Sequence, residues 1–202
     1  MLKSVFTELV SQYKNETADT LWLEINEHYN GKDRKYHNLI HLENMYKEFL
    51  FCKELITDWK TVLFALFYHD IIYKSTRNDN EEQSALLAEK RLKLINYPED
   101  SIAKCKQLIL ATKSHLPVSD TDTNLFTDAD LSILGYDWKM YYEYSKNVRK
   151  EYSFYPDILY KPGRKKVLQH FLSMNYIFKT EFFREKYEGN AKENIRKELT
   201  KL

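Results

Sequence analysis

Apolar residues recur along this chain at the three-and-four spacing of helices that bury one face. Leu2, Val5, Phe6, Leu9, Val10 and Tyr13 fall on one side of a segment over 2–13. Leu21, Trp22, Ile25 and Tyr29 do the same over 18–29, and the polar connection NGKDRKYHN, closed by Asn30-Gly31, fills 30–38. The periodicity then predicts helices near 38–53, 58–72, 79–95, 99–113 and 127–135. SHLPVSDTDTN at 114–124 reads as the longest polar loop and YPDILYKPG at 155–163 as an irregular joint. Further helices are predicted near 137–150, 163–179 and 188–200.

Several helix ends carry local signals. Thr57-Asp58 opens the fourth helix, and Pro98-Glu99-Asp100 opens the sixth. Asn78-Asp79-Asn80 precedes EEQSALLAEKRLKLI, whose acidic start and basic end complement the helix dipole. Gly135 reads as a C-cap. The tail NAKENIRKELTKL at 190–202 is amphipathic; it packs on the domain or serves as a homodimer contact.

Composition narrows the fold. Four Gly and four Pro among 202 residues are too few for the tight turns of a sandwich or barrel. The expectation is an all-α fold, a single domain over 1–202 of roughly ten helices, with no repeat, linker or low-complexity tract to divide it. The 31 basic and 30 acidic side chains leave a formal charge of +1, which gives neither nucleic acid nor an anionic membrane an electrostatic hold. The most apolar window, TVLFALFYHDIIY at 61–73, is too short to span a bilayer. MLKSVFTELVSQYKNE lacks the apolar stretch of a signal peptide. Cys52 and Cys105 are too few for a disulfide framework or a thiolate zinc site and read as buried thiols, so a cytoplasmic location is expected.

Candidate chemistry gathers on four histidines and a few carboxylates. His37 and His41 are four apart, so a helix starting at 37–38 would turn both toward one ion. His69-Asp70 ends the apolar run LFALFYHD, where an unpaired polar couple is costly to bury and a metal is one compensation. Asp128 and Asp130 place carboxylates in the otherwise apolar LFTDADLSILG, and His115 follows LILATKSH. Each has an ordinary explanation: a lone His is usually a hydrogen-bonded core residue, as read for His28 and His170, and an acidic pair is often a cap. Jointly they are stronger, because three separate apolar helices carry His or Asp at the edge of the buried face. A mixed imidazole–carboxylate set suits Mn, Fe, Co, Ni or Zn, with Mg less natural.

The order H…HD…D, here His41, His69-Asp70 and Asp130, resembles the HD superfamily of metal-dependent phosphohydrolases, and within it a bacterial branch of about two hundred residues. The segments that carry the resemblance are RxYHNxxH from Arg34, FxHDxxY from Phe67 and DNEExSA from Asp79. ATxxH from Ala111, DADLxILG from Asp128, VRxEY from Val148 and GRxxVLxxFL from Gly163 continue the series. YHNxxH and ADLS also resemble the cyclic-nucleotide phosphodiesterases, distant relatives with the same metal core. The resemblance implies a single HD-type domain in which His41, His69, Asp70 and Asp130 hold one divalent ion. Asp128 is the weaker ligand, because the Asp before Leu matches ADxL. By the same resemblance His37 protonates the leaving group, and Glu81 orients the attacking water with Glu82 a near rival. His115 sits where some two-metal HD enzymes supply another ligand. The full extra-histidine set is missing, which speaks against a second ion and leaves His115 with Arg34 and Lys74 on the substrate side. Solvated surface charge is an equal reading for Arg34 and Lys74.

The implied activity is hydrolysis of a small phosphoester (a nucleotide, phosphomonoester or phosphodiester) by metal-activated water. Two imidazoles and two carboxylates leave open positions on an octahedral ion, and a neighbouring carboxylate and imidazolium complete the acid–base pair. The alternative is a metal-containing helical module for ligand binding or sensing, without significant turnover.

Overall fold

The computed structural model describes residues 1–202 as ten α-helices without a strand. They are α1 (Leu2–Lys14), α2 (Ala18–Tyr29), α3 (Leu39–Phe51), α4 (Trp59–Tyr68), α5 (Asn80–Leu94), α6 (Glu99–Ala111), α7 (Thr121–Leu131), α8 (Trp138–Glu151), α9 (Asp157–Ser173) and α10 (Glu181–Leu199). Short 3-10 turns at Asn15–Thr17, Lys53–Leu55 and Ser132–Gly135 join some of them. The all-α expectation holds. No helix is long and apolar enough to cross a membrane.

The centre of the fold is α4, in which every residue from Thr61 to Tyr68 is buried. That is why VLFALFY is apolar without interruption: a helix covered on all sides has no polar face to keep. Phe67 meets Phe6 of α1 edge-on at 4.9 Å between ring centroids, and Phe64 meets Tyr97 at 4.8 Å. Helices α1, α3, α5 and α6 pack around this rod. The C-terminal helix joins the same core through Phe183, Tyr187, Ala191 and Ile195, so the tail packs on the domain. Cys52 and Cys105 are buried free thiols, and burial pushes the Cys52 thiol up to about 12.

Four boundaries differ from those the periodicity predicts. Helix α4 ends at Tyr68, ahead of His69-Asp70, because the Asp70 amide donates to the Tyr29 hydroxyl at 3.2 Å, while the Leu66 carbonyl it would have reached accepts from His69 Nδ1 at 2.9 Å. Helix α7 starts at Thr121, inside the predicted loop, where Asp120 accepts the Thr123 amide at 2.7 Å. Helix α9 absorbs the predicted joint: it begins at Asp157 and runs through Pro162, forfeiting one backbone donor, then ends at Ser173. Helix α10 begins at Glu181 because the Asp128 carboxylate accepts the amides of Lys179 and Thr180 at 2.8 Å each.

Two single-residue readings are also corrected. Gly135 is not a left-handed cap, since no glycine has positive φ. It is small because a Cβ there would lie 2.7 Å from the Tyr187 carbonyl oxygen, so it lets α10 approach the Ser132–Gly135 turn. His170 is exposed and not part of the core.

Candidate metal centre

Three chain segments bring the charged groups together. Asn38 caps α3 by accepting the Ile40 amide at 2.9 Å, which places His41 in the first turn with its side chain buried. His69 makes the last hydrogen bond of α4, to Ala65 O at 2.8 Å, and its Nδ1 donates to Leu66 O at 2.9 Å. A carbonyl only accepts, so Nδ1 carries the hydrogen and Nε2 is the atom presented to the cluster. The last turn of α7 delivers Asp130.

His41 Nε2 lies 3.2 Å from His69 Nε2 and 3.2 Å from Asp130 Oδ1. Asp70 Oδ2 stands 3.2 Å from His69 Nε2 and 3.8 Å from His41 Nε2. The ligand atoms of His41, His69 and Asp130 all lie within 4.8 Å of one another, a group that could hold a metal ion. At this distance the two Nε2 atoms need a hydrogen or a cation between them, and the converging carboxylates supply negative charge around it. The donor set of His41, His69 and Asp130, two nitrogens and one oxygen, therefore fits a metal ion, and Asp70 stands beside this group without being part of it.

The protonation balance follows from the same neighbours. Burial pulls His69 down, yet Asp70 beside it outweighs this and raises its pKa to about 9. Burial lowers His41, and Asp130 does not recover it. Burial alone would raise Asp70 and Asp130; His69 and His37 hold Asp70 below the usual carboxylate range, and hydrogen bonds from His115 and His41 do the same for Asp130.

His115 and Asp128 take other parts. His115 Nε2 lies 2.9 Å from Asp130 Oδ2, the oxygen opposite the one facing His41, so it fixes the rotation of that carboxylate. Its φ of 52° is a left-handed conformation that a residue with a Cβ seldom adopts. The expected substrate contact is here a partner of Asp130. Asp128 is fully buried and caps α10, so of the two carboxylates in that segment only Asp130 joins the cluster.

His37 lies ahead of the α3 cap and outside the helix, so it does not share a helical face with His41. Its Nε2 is 4.0 Å from Asp70 Oδ2, and its Nδ1 is 2.7 Å from Glu151 Oε2. The other Glu151 oxygen accepts the amides of Lys35, Tyr36 and His37 at 2.8, 2.8 and 2.9 Å. Burial lowers the His37 pKa, but Asp70 and the Glu151 hydrogen bond together leave it raised. Glu151 is the Glu of the VRxEY segment from Val148, and sequence reasoning gave it no role. Beyond that segment, its trace was a carboxylate three residues after Val148, on the face that Tyr141 and Ser145 also mark.

No protein-family model, no curated protein and no solved structure matches this chain. Its chemistry is read from its own residues.

Arg34 does not present its guanidinium to a phosphate. One terminal nitrogen donates to His37 O at 3.1 Å and Asp70 O at 2.6 Å, the other to Ile71 O at 2.8 Å. It thus ties the His37 loop to the end of α4, flanked by the rings of Tyr29 and Tyr73. Lys74 is exposed and lines a cleft of about 690 Å³ beside that loop. Glu81 and Glu82 both lie in the first turn of α5 but differ in partners. Glu82 is paired with Lys113 at 2.5 Å. Glu81 is half-buried, and its carboxylate enters none of the hydrogen bonds or ion pairs of its Glu82 neighbour.

Proposed function

We propose that this chain is a metal-dependent phosphohydrolase of the HD type. His41, His69, Asp70 and Asp130 would hold one divalent ion, and the substrate is a small phosphoester, whether a nucleotide, a phosphomonoester or a phosphodiester. The observation that carries the reading is the pair of facing Nε2 atoms, ringed by two carboxylates, with an oriented third imidazole 4.0 Å from Asp70. The nitrogen and oxygen donors favour Mn, Fe, Co, Ni or Zn over Mg. A bound divalent ion supplies Lewis acidity toward water and a phosphoryl oxygen.

The chain's own groups account for the proton movements. Glu151 accepts from His37 Nδ1 and with Asp70 favours the imidazolium, whose Nε2–H on the cluster side would protonate a departing oxygen. Glu81, unlike Glu82, makes no ion pair with Lys113 and would be the carboxylate that takes a proton from water. His115 keeps Asp130 turned toward His41. A module that only stored or sensed an ion would need no imidazole held in this way beside the donor set, which is why hydrolysis is preferred.

The reading is tested by elemental analysis of untagged protein, followed by a phosphate-release screen over nucleotides and other phosphoesters. It predicts about one transition-metal ion per chain and release from at least one ester class. Absence of both bound metal and phosphate release would contradict it.

A further inference from the structure

The phosphoryl group of a bound ester has to lie between the ion and the acid, because the acid protonates an oxygen carried by the same phosphorus. In this chain that space is bounded by the donor set on one side and His37 on the other. Tyr36 flanks both: its ring meets His37 edge-on at 4.9 Å between centroids and His41 at 5.0 Å. A cavity of about 190 Å³ has Tyr36, His41 and Tyr144 among its walls, so it borders a proposed ligand of the ion. The larger cleft beside Lys74 touches none of the four.

The Tyr36 side chain is held in place, yet its hydroxyl is unused. Glu151 accepts the Tyr36 amide at 2.8 Å, in the same grip that orients His37, and the half-buried ring packs edge-on against Tyr144 at 4.6 Å. Two other phenols near the centre have partners: Tyr29 takes the Asp70 amide at 3.2 Å, and Tyr144 takes the Arg164 guanidinium at 3.3 Å. The Tyr36 oxygen has no partner in the chain and is not sealed from solvent. Burial first, then Tyr144 and the Asp130 and Asp70 carboxylates, hold this phenol well above its ordinary pKa, so it keeps its proton and serves as a donor. Arg34 and His115, the groups expected on the substrate side, are already occupied by backbone carbonyls and by Asp130. The charged nonbridging oxygens of a phosphoryl group call for hydrogen-bond donors besides the ion.

We propose that Tyr36 is a further catalytic residue, whose O–H donates a hydrogen bond to a nonbridging oxygen of the phosphoryl group between the donor set and His37. The proposal rests on the phosphohydrolase reading. Tyr36 keeps its proton throughout and acts on an oxygen common to every phosphoester, so its contribution does not depend on the leaving group. His37 acts on the departing oxygen, and its contribution does. Two residues adjacent in sequence therefore carry separable roles.

The test is Tyr36→Phe, which keeps the ring and its contacts and removes only the hydroxyl. Metal content and Tm are expected to match wild type. Hydrolysis of an alkyl and of a nitrophenyl phosphoester should fall by the same factor, roughly tenfold to a hundredfold. Calorimetric binding of inorganic phosphate to the metal-loaded full chain should weaken roughly tenfold. Unchanged rates and phosphate affinity would show that the ring only packs, and a loss confined to the alkyl ester would put the hydroxyl on the departing oxygen; either result overturns the proposal. Loss of metal or of thermal stability in Tyr36→Phe, or wild-type protein that binds no phosphate, overturns it as well. Failure of the hydrolase reading is distinct: phosphate is then bound but released from no ester, and the phosphate affinities of the two proteins still decide whether Tyr36 makes the contact.

Discussion

Glu151 Oε2 lies 2.7 Å from His37 Nδ1, while Glu151 Oε1 gathers the three successive amides that lead into His37. One carboxylate thus sets both the path of the loop and the direction of the imidazole. Glu151→Gln keeps an oxygen for the amides but removes the charge that favours the imidazolium. Turnover of an alkyl phosphoester is expected to fall roughly tenfold to a hundredfold with metal content retained, less than loss of the acid itself would cost. Steady-state kinetics with metal analysis alongside checks this, and undiminished kcat would show that Glu151 only braces the loop.

His37 and His41 separate by substrate. A ribose or alkyl oxygen leaves poorly without a proton, whereas a nitrophenolate leaves readily. His37→Asn is expected to keep its metal and lose roughly 10²–10⁴-fold on the alkyl ester, and much less on a nitrophenyl ester when chemistry limits both rates. His41→Asn should fail on both, with depleted metal. Equal losses on the two esters together with metal depletion in His37→Asn would make His37 a ligand.

Glu81 and Glu82 differ by one lysine. With Lys113 engaging Glu82, Glu81→Gln is expected to retain the ion and lose most turnover, and Glu82→Gln to stay close to wild type. The amide preserves size but cannot accept water's proton. The opposite ranking in kcat would move the role to Glu82.

Gly135 is a packing requirement between α10 and the turn after α7. Gly135→Ala sets a methyl against the Tyr187 backbone and should cost about 1–3 kcal/mol, the usual range for overpacking a tight contact. Urea unfolding measures it. A stability within error of wild type would show that the turn yields without strain.

What could be read along the chain was what neighbouring residues encode. The uninterrupted apolar run of α4 marked a helix buried on all sides, and its polar terminus marked His69 and Asp70. The Asp120 cap was present in SDTDT, but the density of polar residues around it made the first turn of α7 resemble a loop. Other features depend on partners remote in sequence. Asp128 decides where α10 begins, Tyr29 takes the Asp70 amide where α4 stops, and Glu151 decides how His37 faces. No local pattern announces such pairs, because the groups meet only after the helices pack. For the same reason Arg34 could be placed beside the site by its motif, while the three carbonyls that occupy it could not.

The central claim is that His41, His69, Asp70 and Asp130 hold an ion on which phosphoester hydrolysis depends. Phosphate release by chelator-treated protein, followed as divalent metal is added back stepwise, measures it directly. The account predicts no release in chelator, recovery with Mn, Co, Ni, Fe or Zn that saturates near one ion per chain, and no recovery in Asp70→Ala. Full release in the presence of chelator, or recovery by metal in Asp70→Ala equal to wild type, would contradict it.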